Sequence, residues 1–374
     1  MELTYDLGGL TTLSIAGLPS AMERGLTRAM RPWPPIGQDT ATTSGASPAI
    51  RIEASTVAPH WTHVVGATWD GRRTASDGQS IVSLLDPGWW ALRREGDRFA
   101  VTMATDTPTA TIVSDIVKPL AMVAIADAGG ATLHASAIAD GPSATLFAGW
   151  SEAGKTETAL AFAESGARIC SDKWSGIRPD GVVVGFPGPI AVRSWVLPSL
   201  PRLRSAVTTR MRAQRAAASV ARFAPRLVGT FPGPSAAEVA RRLEALVELG
   251  GRLRLDPDMI ATATGARPAA DHPVVRRVVL LRASSSATVT VATATVPEVV
   301  AALQRSAAIE RAPWLTIIDR GAYLAPGVDL AGLDPGPRES VTLPALLTNV
   351  ELIAVDAPYP TDPRRVRDAI MAAT

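Results

Sequence analysis

The spacing of apolar and polar residues changes several times along this chain, and the changes divide it. From Ile50 to Thr111 the pattern predicts strands. Arg51-Ile52-Glu53-Ala54 alternates, and Trp61-Thr62-His63-Val64-Val65 is rich in β-formers. Asp70-Gly71, Asp77-Gly78 and Asp86-Pro87-Gly88 punctuate this stretch at turn spacing. Residues 1–50 mix short apolar runs with proline and glycine, and Gly37 to Pro48 reads as a polar loop. Residues 1–111 are therefore expected to form a β-rich N-terminal module.

Residues 112–135 predict a helix. Past Pro142 the period shortens. Ala144-Thr145-Leu146-Phe147-Ala148 predicts a buried strand, Gly149 to Gly154 a loop, and Thr156 to Ser165 a helix stopped by Gly166. Arg168-Ile169-Cys170-Ser171 and Val182 to Phe186 predict two more strands, with a turn at Arg178-Pro179-Asp180-Gly181 between them. Ser235-Ala236-Ala237-Glu238 is a capping box opening another helix. Strands are expected at Arg277–Leu281, Thr288–Val291 and Leu352–Val355. Helices are expected to open at Thr295-Val296-Pro297-Glu298 and at Thr361-Asp362-Pro363. Strand, loop, helix and strand in succession place residues 112–374 in the α/β class.

Composition narrows the possibilities. At 47% hydrophobic and 19% charged, the chain is not of the disordered class. Lys plus Arg is 37 against 35 Asp plus Glu, without the basic excess of a dedicated nucleic-acid binder. A lone cysteine, Cys170, excludes a disulfide framework and a multi-cysteine zinc site. The opening MELTYDLGG has no apolar signal core. The apolar stretch Leu120 to Ala139 contains Asp127, two glycines and His134, and fails as a membrane span. A cytoplasmic protein without membrane or nucleic-acid partners is expected. The segment from about 193 to 250 is read as arginine-rich and helical. Between 193 and 230 it carries eight arginines and no acidic residue. Arg204, Arg215 and Arg222 would fall within about 20° of one another on a continuous helix, as a solvated face or as a surface for an acidic or phosphorylated substrate.

Only three of the 37 basic residues are lysines: Lys118, Lys155 and Lys173. Lys155 falls in a motif. Gly149-Trp150-Ser151-Glu152-Ala153-Gly154-Lys155-Thr156 fits the phosphate-loop pattern G-x-x-x-x-G-K-[ST]. Its glycines let the backbone wrap around phosphates, and the following helix adds its positive end. Lys155 would reach the β- and γ-phosphates of ATP, and Thr156 would hold Mg²⁺ through its hydroxyl. Glu157, in the first helical turn, would assist Mg²⁺ or complement the helix dipole. Asp172 follows a predicted strand, at the sheet edge where open α/β proteins bind ligands. There it can ligate Mg²⁺ or accept a hydroxyl proton.

The match extends beyond the loop. Gly154-Lys155-Thr156-Glu157-Thr158-Ala159-Leu160 resembles the G-K-S-E-T-A-L of HPr kinase/phosphorylase, a bacterial serine kinase. Leu133-His134-Ala135-Ser136-Ala137 resembles that family's histidine segment, and Ser165 to Asp172 is similar to its R-G-H-R-L-V-A-D. The resemblance covers about 133–193 and fades outside. It implies a P-loop HPr-kinase-like core and a kinase that phosphorylates a hydroxyl, with serine on a protein or peptide as the expected acceptor. It implies ATP and Mg²⁺ as cofactors, Thr156 and Asp172 as metal ligands, and His134 as a partner of a carboxylate or of the γ-phosphate. The family's members form hexamers, and a homo-oligomer is kept as a partner state here. One position departs: the family has a second aspartate where this chain has Lys173. Lys173 either replaces a metal charge or neutralises the transferring phosphoryl group, or it marks a catalytically weak nucleotide-binding scaffold. A kinase of a small-molecule hydroxyl is the other alternative.

The remaining candidates have plainer readings beside the chemical ones. His134 is equally a satisfied core histidine. His60 and His63, three apart on a strand, face opposite sides and make no metal site. Cys170 is expected to be buried and inert. Trp150 and Trp174 are read as core or rim packing, with stacking on adenine or a substrate as the alternative. Arg193 is a candidate phosphate contact.

Overall fold

A computed structural model describes residues 2–31, 33, 35–36, 49–61, 63–65, 72–208, 252–266 and 272–373. Arg215, Arg222 and the helix expected at Ser235 lie outside the described residues, so the arginine stripe is not placed.

The chain starts with a hairpin, β1 (Glu2–Asp6) and β2 (Thr12–Ala16), followed by helix α1 (Ser20–Ala29) and the short β3 (Pro35–Ile36). The alternating stretch then gives β4 (Ile50–Ser55), β5 (His63–Val65), β6 (Arg73–Ser76), β7 (Ile81–Leu84), β8 (Trp89–Glu95) and β9 (Arg98–Ala104). Helix α2 covers Thr109–Asp127, with a π-helical stretch at Ile112–Val117. It is long and apolar enough to cross a membrane by length and composition, and most of it is buried inside the protein.

The helix expected over 112–135 therefore stops eight residues early. Gly129 has φ of +79°, and a Cβ on Gly130 would lie 2.4 Å from the Ile177 carbonyl oxygen. Beyond these glycines the chain makes strands β10 (Ala131–Leu133), β11 (Ala135–Asp140) and β12 (Ser143–Gly149). Next come α3 (Lys155–Glu164), β13 (Arg168–Ser171), β14 (Ser175–Ile177), β15 (Val183–Gly185), β16 (Ile190–Arg193) and α4 (Pro201–Ser205). After the undescribed segment follow β17 (Arg252–Leu255), α5 (Pro257–Thr264), β18 (Val274–Ala283) and β19 (Thr290–Thr293). The last elements are α6 (Val296–Leu324), α7 (Gly336–Leu346), β20 (Glu351–Ala357) and α8 (Pro363–Ala372). The Thr295 hydroxyl accepts from the Glu298 amide and the Asp362 carboxylate from the Arg364 amide, so both predicted caps close their helices.

These elements make an α/β protein with mixed sheets, divided into two compact units. The first comprises Met1–His134, Trp174–Gly188 and Thr295–Glu351. The second comprises Ala135–Lys173, Pro189–Ala294 and Leu352–Thr374. Both are discontinuous in sequence, and neither coincides with the continuous 1–111 and 112–374 segments expected from the pattern.

The first unit holds a nine-stranded sheet in the order β3-β1-β2-β4-β9-β8-β7-β6-β5, and a small sheet β10-β14-β15. Its core joins Ile15, Ile52 and Trp90 from the strands to Ile116 and Leu120 of α2 and Ile317 of α6. A buried ion pair ties α6 to α7. Arg311 donates to both carboxylate oxygens of Glu339, at 2.6 and 2.8 Å, and also to the Thr132 carbonyl at 3.0 Å. Glu339 in turn accepts the Thr132 amide, and Arg311 lies 5.3 Å from the Trp174 ring centroid.

The second unit is built on a six-stranded sheet, β13-β11-β12-β18-β20-β19. β11 runs antiparallel to both β12 and β13, and β18 runs parallel to β12. β12, β13 and β18 therefore all end at the same edge of the sheet. Helix α3 packs on this sheet, with Phe162 against Phe147 of β12 at 5.3 Å between ring centroids, and α8 packs on α3.

Candidate functional site

The loop from Gly149 to Gly154 joins the buried end of β12 to α3, inside the second unit. Two glycines shape it. Gly149 has φ of +147°, and a Cβ there would sit 2.3 Å from the Leu281 carbonyl oxygen of β18. Gly154 has φ of +90° and forms the N-cap of α3, where no side chain caps the first turn. Within the loop the Ala153 amide donates to the Trp150 carbonyl at 3.2 Å. Glu152 takes a left-handed conformation, φ +67°, without being glycine.

Lys155, 8% exposed, folds back over the loop. Its Nζ donates to the carbonyls of Gly149 and Trp150, both at 2.9 Å. A lysine Nζ held by two carbonyls is aimed into the loop and able to exchange those partners for phosphate oxygens. Thr156 and Asp172 meet beside it, sixteen residues apart in sequence. The Thr156 hydroxyl donates to Asp172 Oδ1 at 2.7 Å, and the buried Ser136 hydroxyl donates to the same oxygen at 2.6 Å. Among the described residues both side-chain hydrogen bonds to Asp172 end on Oδ1. A hydroxyl and a carboxylate in contact are a hard oxygen donor set that suits Mg²⁺, with water and phosphate completing the shell. Among the described residues no group of three or more His, Cys, Asp or Glu is arranged to hold a metal ion.

Glu157 is buried in the first turn of α3, and its carboxyl is pushed up from the usual glutamate range by desolvation. Its own amide, Arg193 and Tyr359 oppose the shift, and the negative charge of Asp172 adds to it. Arg193 bridges the loop and the helix. It donates to Glu152 at 2.7 Å, and its Nε lies 3.5 Å from Glu157. Tyr359, just after β20, donates to Glu157 at 3.4 Å. Desolvation first, then the neighbouring Glu157 charge, pushes the Tyr359 phenol up to about 12, so it stays protonated. Trp195 packs edge-on against that ring at 6.0 Å.

Lys173 is exposed, in a left-handed conformation with φ of +69°. His134 belongs to the first unit and is 5% exposed there. Its Nδ1 lies 2.6 Å from the Ser306 hydroxyl, its Nε2 3.8 Å from Glu310, and its ring 5.6 Å from that of Trp174. Trp174 is a buried core residue of the first unit, whereas Trp150 is 55% exposed on the loop. Cys170 is half-buried rather than buried, because it is the residue of β13 between the inward-facing Ile169 and Ser171. His60 and His63 are both exposed.

The sequence pattern does not mark Ser136, Trp195 or Tyr359 as site residues. Ser136 sits in the histidine segment quoted above, and its alternation with the apolar residues of β11 was the available signal. Trp195 and Tyr359 come from 40 or more residues beyond the loop in the chain, with no local pattern to mark them.

No model of a known protein family matches this chain, and no curated protein matches it.

Proposed function

We propose that this chain is an HPr-kinase-like P-loop phosphotransferase that moves the γ-phosphoryl group of ATP to a hydroxyl, with serine of a protein or peptide as the favoured acceptor. The observation that carries this reading is the meeting of Thr156 and Asp172 at 2.7 Å beside a glycine-shaped loop whose lysine points inward. That is the arrangement phosphoryl transfer needs, in which positioning and charge do most of the work.

In this reading Lys155 leaves the Gly149 and Trp150 carbonyls and takes charge from the phosphates. Thr156 and Asp172 would hold Mg²⁺, which when bound neutralises charge on the phosphates. Ser136 and Thr156 fix the carboxylate through Oδ1, leaving Oδ2 to accept the proton of the acceptor hydroxyl. A small-molecule acceptor uses the same chemistry. The scaffold alternative draws on Lys173, a cation at the position where the resembled family carries a carboxylate.

The test is transfer of labelled γ-phosphate to serine peptides and to free amino acids or metabolites. Asp172→Asn is expected to lower transfer by at least about a hundredfold, within the range of general-base loss, while nucleotide affinity stays within a few-fold. Lys173→Ala is expected to slow transfer without abolishing it. Nucleotide binding without transfer to any acceptor would favour the scaffold. Unchanged nucleotide affinity in Lys155→Ala would remove the phosphate-loop assignment itself.

A further inference from the structure

In a phosphate loop the terminal phosphates lie in the cradle under the lysine, and the α-phosphate lies toward the first helical turn. The nucleoside attached to it must therefore leave the loop alongside that turn. In the second unit this turn begins at Gly154 and Lys155 and contains Glu157. What stands beside it is an aromatic corner. The Tyr359 ring edge comes within 3.8 Å of the position a Gly154 Cβ would take, and its hydroxyl reaches Glu157. Trp195 meets the Tyr359 ring at 80° and 6.0 Å, and the Arg193 guanidinium lies 5.9 Å from the Tyr359 ring centroid. Both aromatic residues are only half-buried, so part of each is open to a ligand.

The three residues come from separate segments, β16, the turn after it, and the turn after β20. The second unit thus brings two large, partly exposed rings and a planar cation to one side of the loop. Gly154 matters here for more than its φ, because a side chain at that position would come into contact with the Tyr359 ring. Flat apolar rings beside a cation suit a flat heteroaromatic ligand, which stacks on one ring, meets the other edge-on and accepts hydrogen bonds from the guanidinium. A larger ring system covers more of such a corner than a smaller one.

We infer that Tyr359 and Trp195 form the base subsite of the nucleotide site, and that they select a purine nucleotide over a pyrimidine nucleotide and over bare polyphosphate. This rests on the phosphate-loop reading above, and the probes separate the two. Titration calorimetry of the full chain with Mg²⁺ would compare ADP, CDP and inorganic pyrophosphate.

The wild type is expected to bind ADP at least about tenfold more tightly than pyrophosphate, a difference of about 1.4 kcal/mol, with CDP between them. Tyr359→Leu and Trp195→Leu should each lose most of the ADP advantage while pyrophosphate affinity stays within about twofold, a retention that also shows the site is folded. Equal affinity of the wild type for ADP, CDP and pyrophosphate would overturn the base subsite and leave the phosphate loop standing. The same holds if both variants keep the full ADP advantage. Should a variant lose pyrophosphate binding as well, the wild-type ranking of the three probes decides by itself. Failure of the wild type to bind any of the three would overturn the loop reading and the subsite with it.

Discussion

Two non-glycine residues with left-handed backbones, Glu152 and Lys173, flank the candidate site. Such a conformation costs an ordinary residue about 1–2 kcal/mol. Asparagine adopts it readily and β-branched residues do not. Lys173→Asn should therefore raise the melting temperature, whereas Lys173→Val should lower it, both read by thermal denaturation. Glu157 makes a prediction with a definite sign. Its carboxyl is raised by burial, so the folded state holds the proton more tightly than the unfolded chain. As pH rises from the ordinary value of 4.5 through the raised one, the unfolded state ionises first and stability is lost. Glu157→Gln should consequently melt higher than wild type at pH 7, with the difference vanishing below pH 4.5. An unchanged difference across that range would show that the effect is not one of ionisation.

At the scale of elements, the two loop glycines are not equivalent. Gly154→Ala meets only ordinary contact with Tyr359 and bears the left-handed cost, about 1–2 kcal/mol. Gly149→Ala would drive a Cβ into the Leu281 carbonyl, between paired strands that cannot part without breaking the β12–β18 ladder. It should destabilise more than Gly154→Ala and also misplace the loop, so that nucleotide affinity falls with stability. The Arg311–Glu339 pair gives another contrast. Arg311→Met leaves a buried carboxylate without its partner and should cost about 3–5 kcal/mol, while Arg311→Met with Glu339→Leu should recover most of that loss.

How much of these elements was legible depended on range. The Thr295 and Asp362 caps, Gly166 after α3 and the glycines of the loop act within a few residues, and the sequence shows them directly. The end of α2 is masked by an apolar composition that continues from Leu120 to Ala139, although Gly129-Gly130 supplies a local stop before β10 and β11. Asp172 was legible through its position after a strand. Its Ser136 partner was not, because β11 lies between β12 and β13 and the pairing order cannot be read from the chain.

For the whole molecule, the division into two units follows contacts rather than continuous sequence. The core of the first unit takes Trp174, Val184 and Phe186 from one insertion and Ile317, Ile318 and Leu333 from another. A fragment of residues 1–134 would expose the side of α2 that these residues cover. It is expected to lack a cooperative melting transition, measured by circular dichroism, and to bind a hydrophobic dye. A sharp transition would show that the nine-stranded sheet and α2 suffice.

The same division bears on synthesis. The first unit waits for Thr295–Glu351, and the second for β20, which lies between β18 and β19 in its sheet. Chains usually fold domain by domain as they leave the ribosome. Here both units would stay unfinished until the segment ending at Glu351 emerged, and the second until β20 followed it, so most of the polypeptide would depend on chaperone protection up to that point.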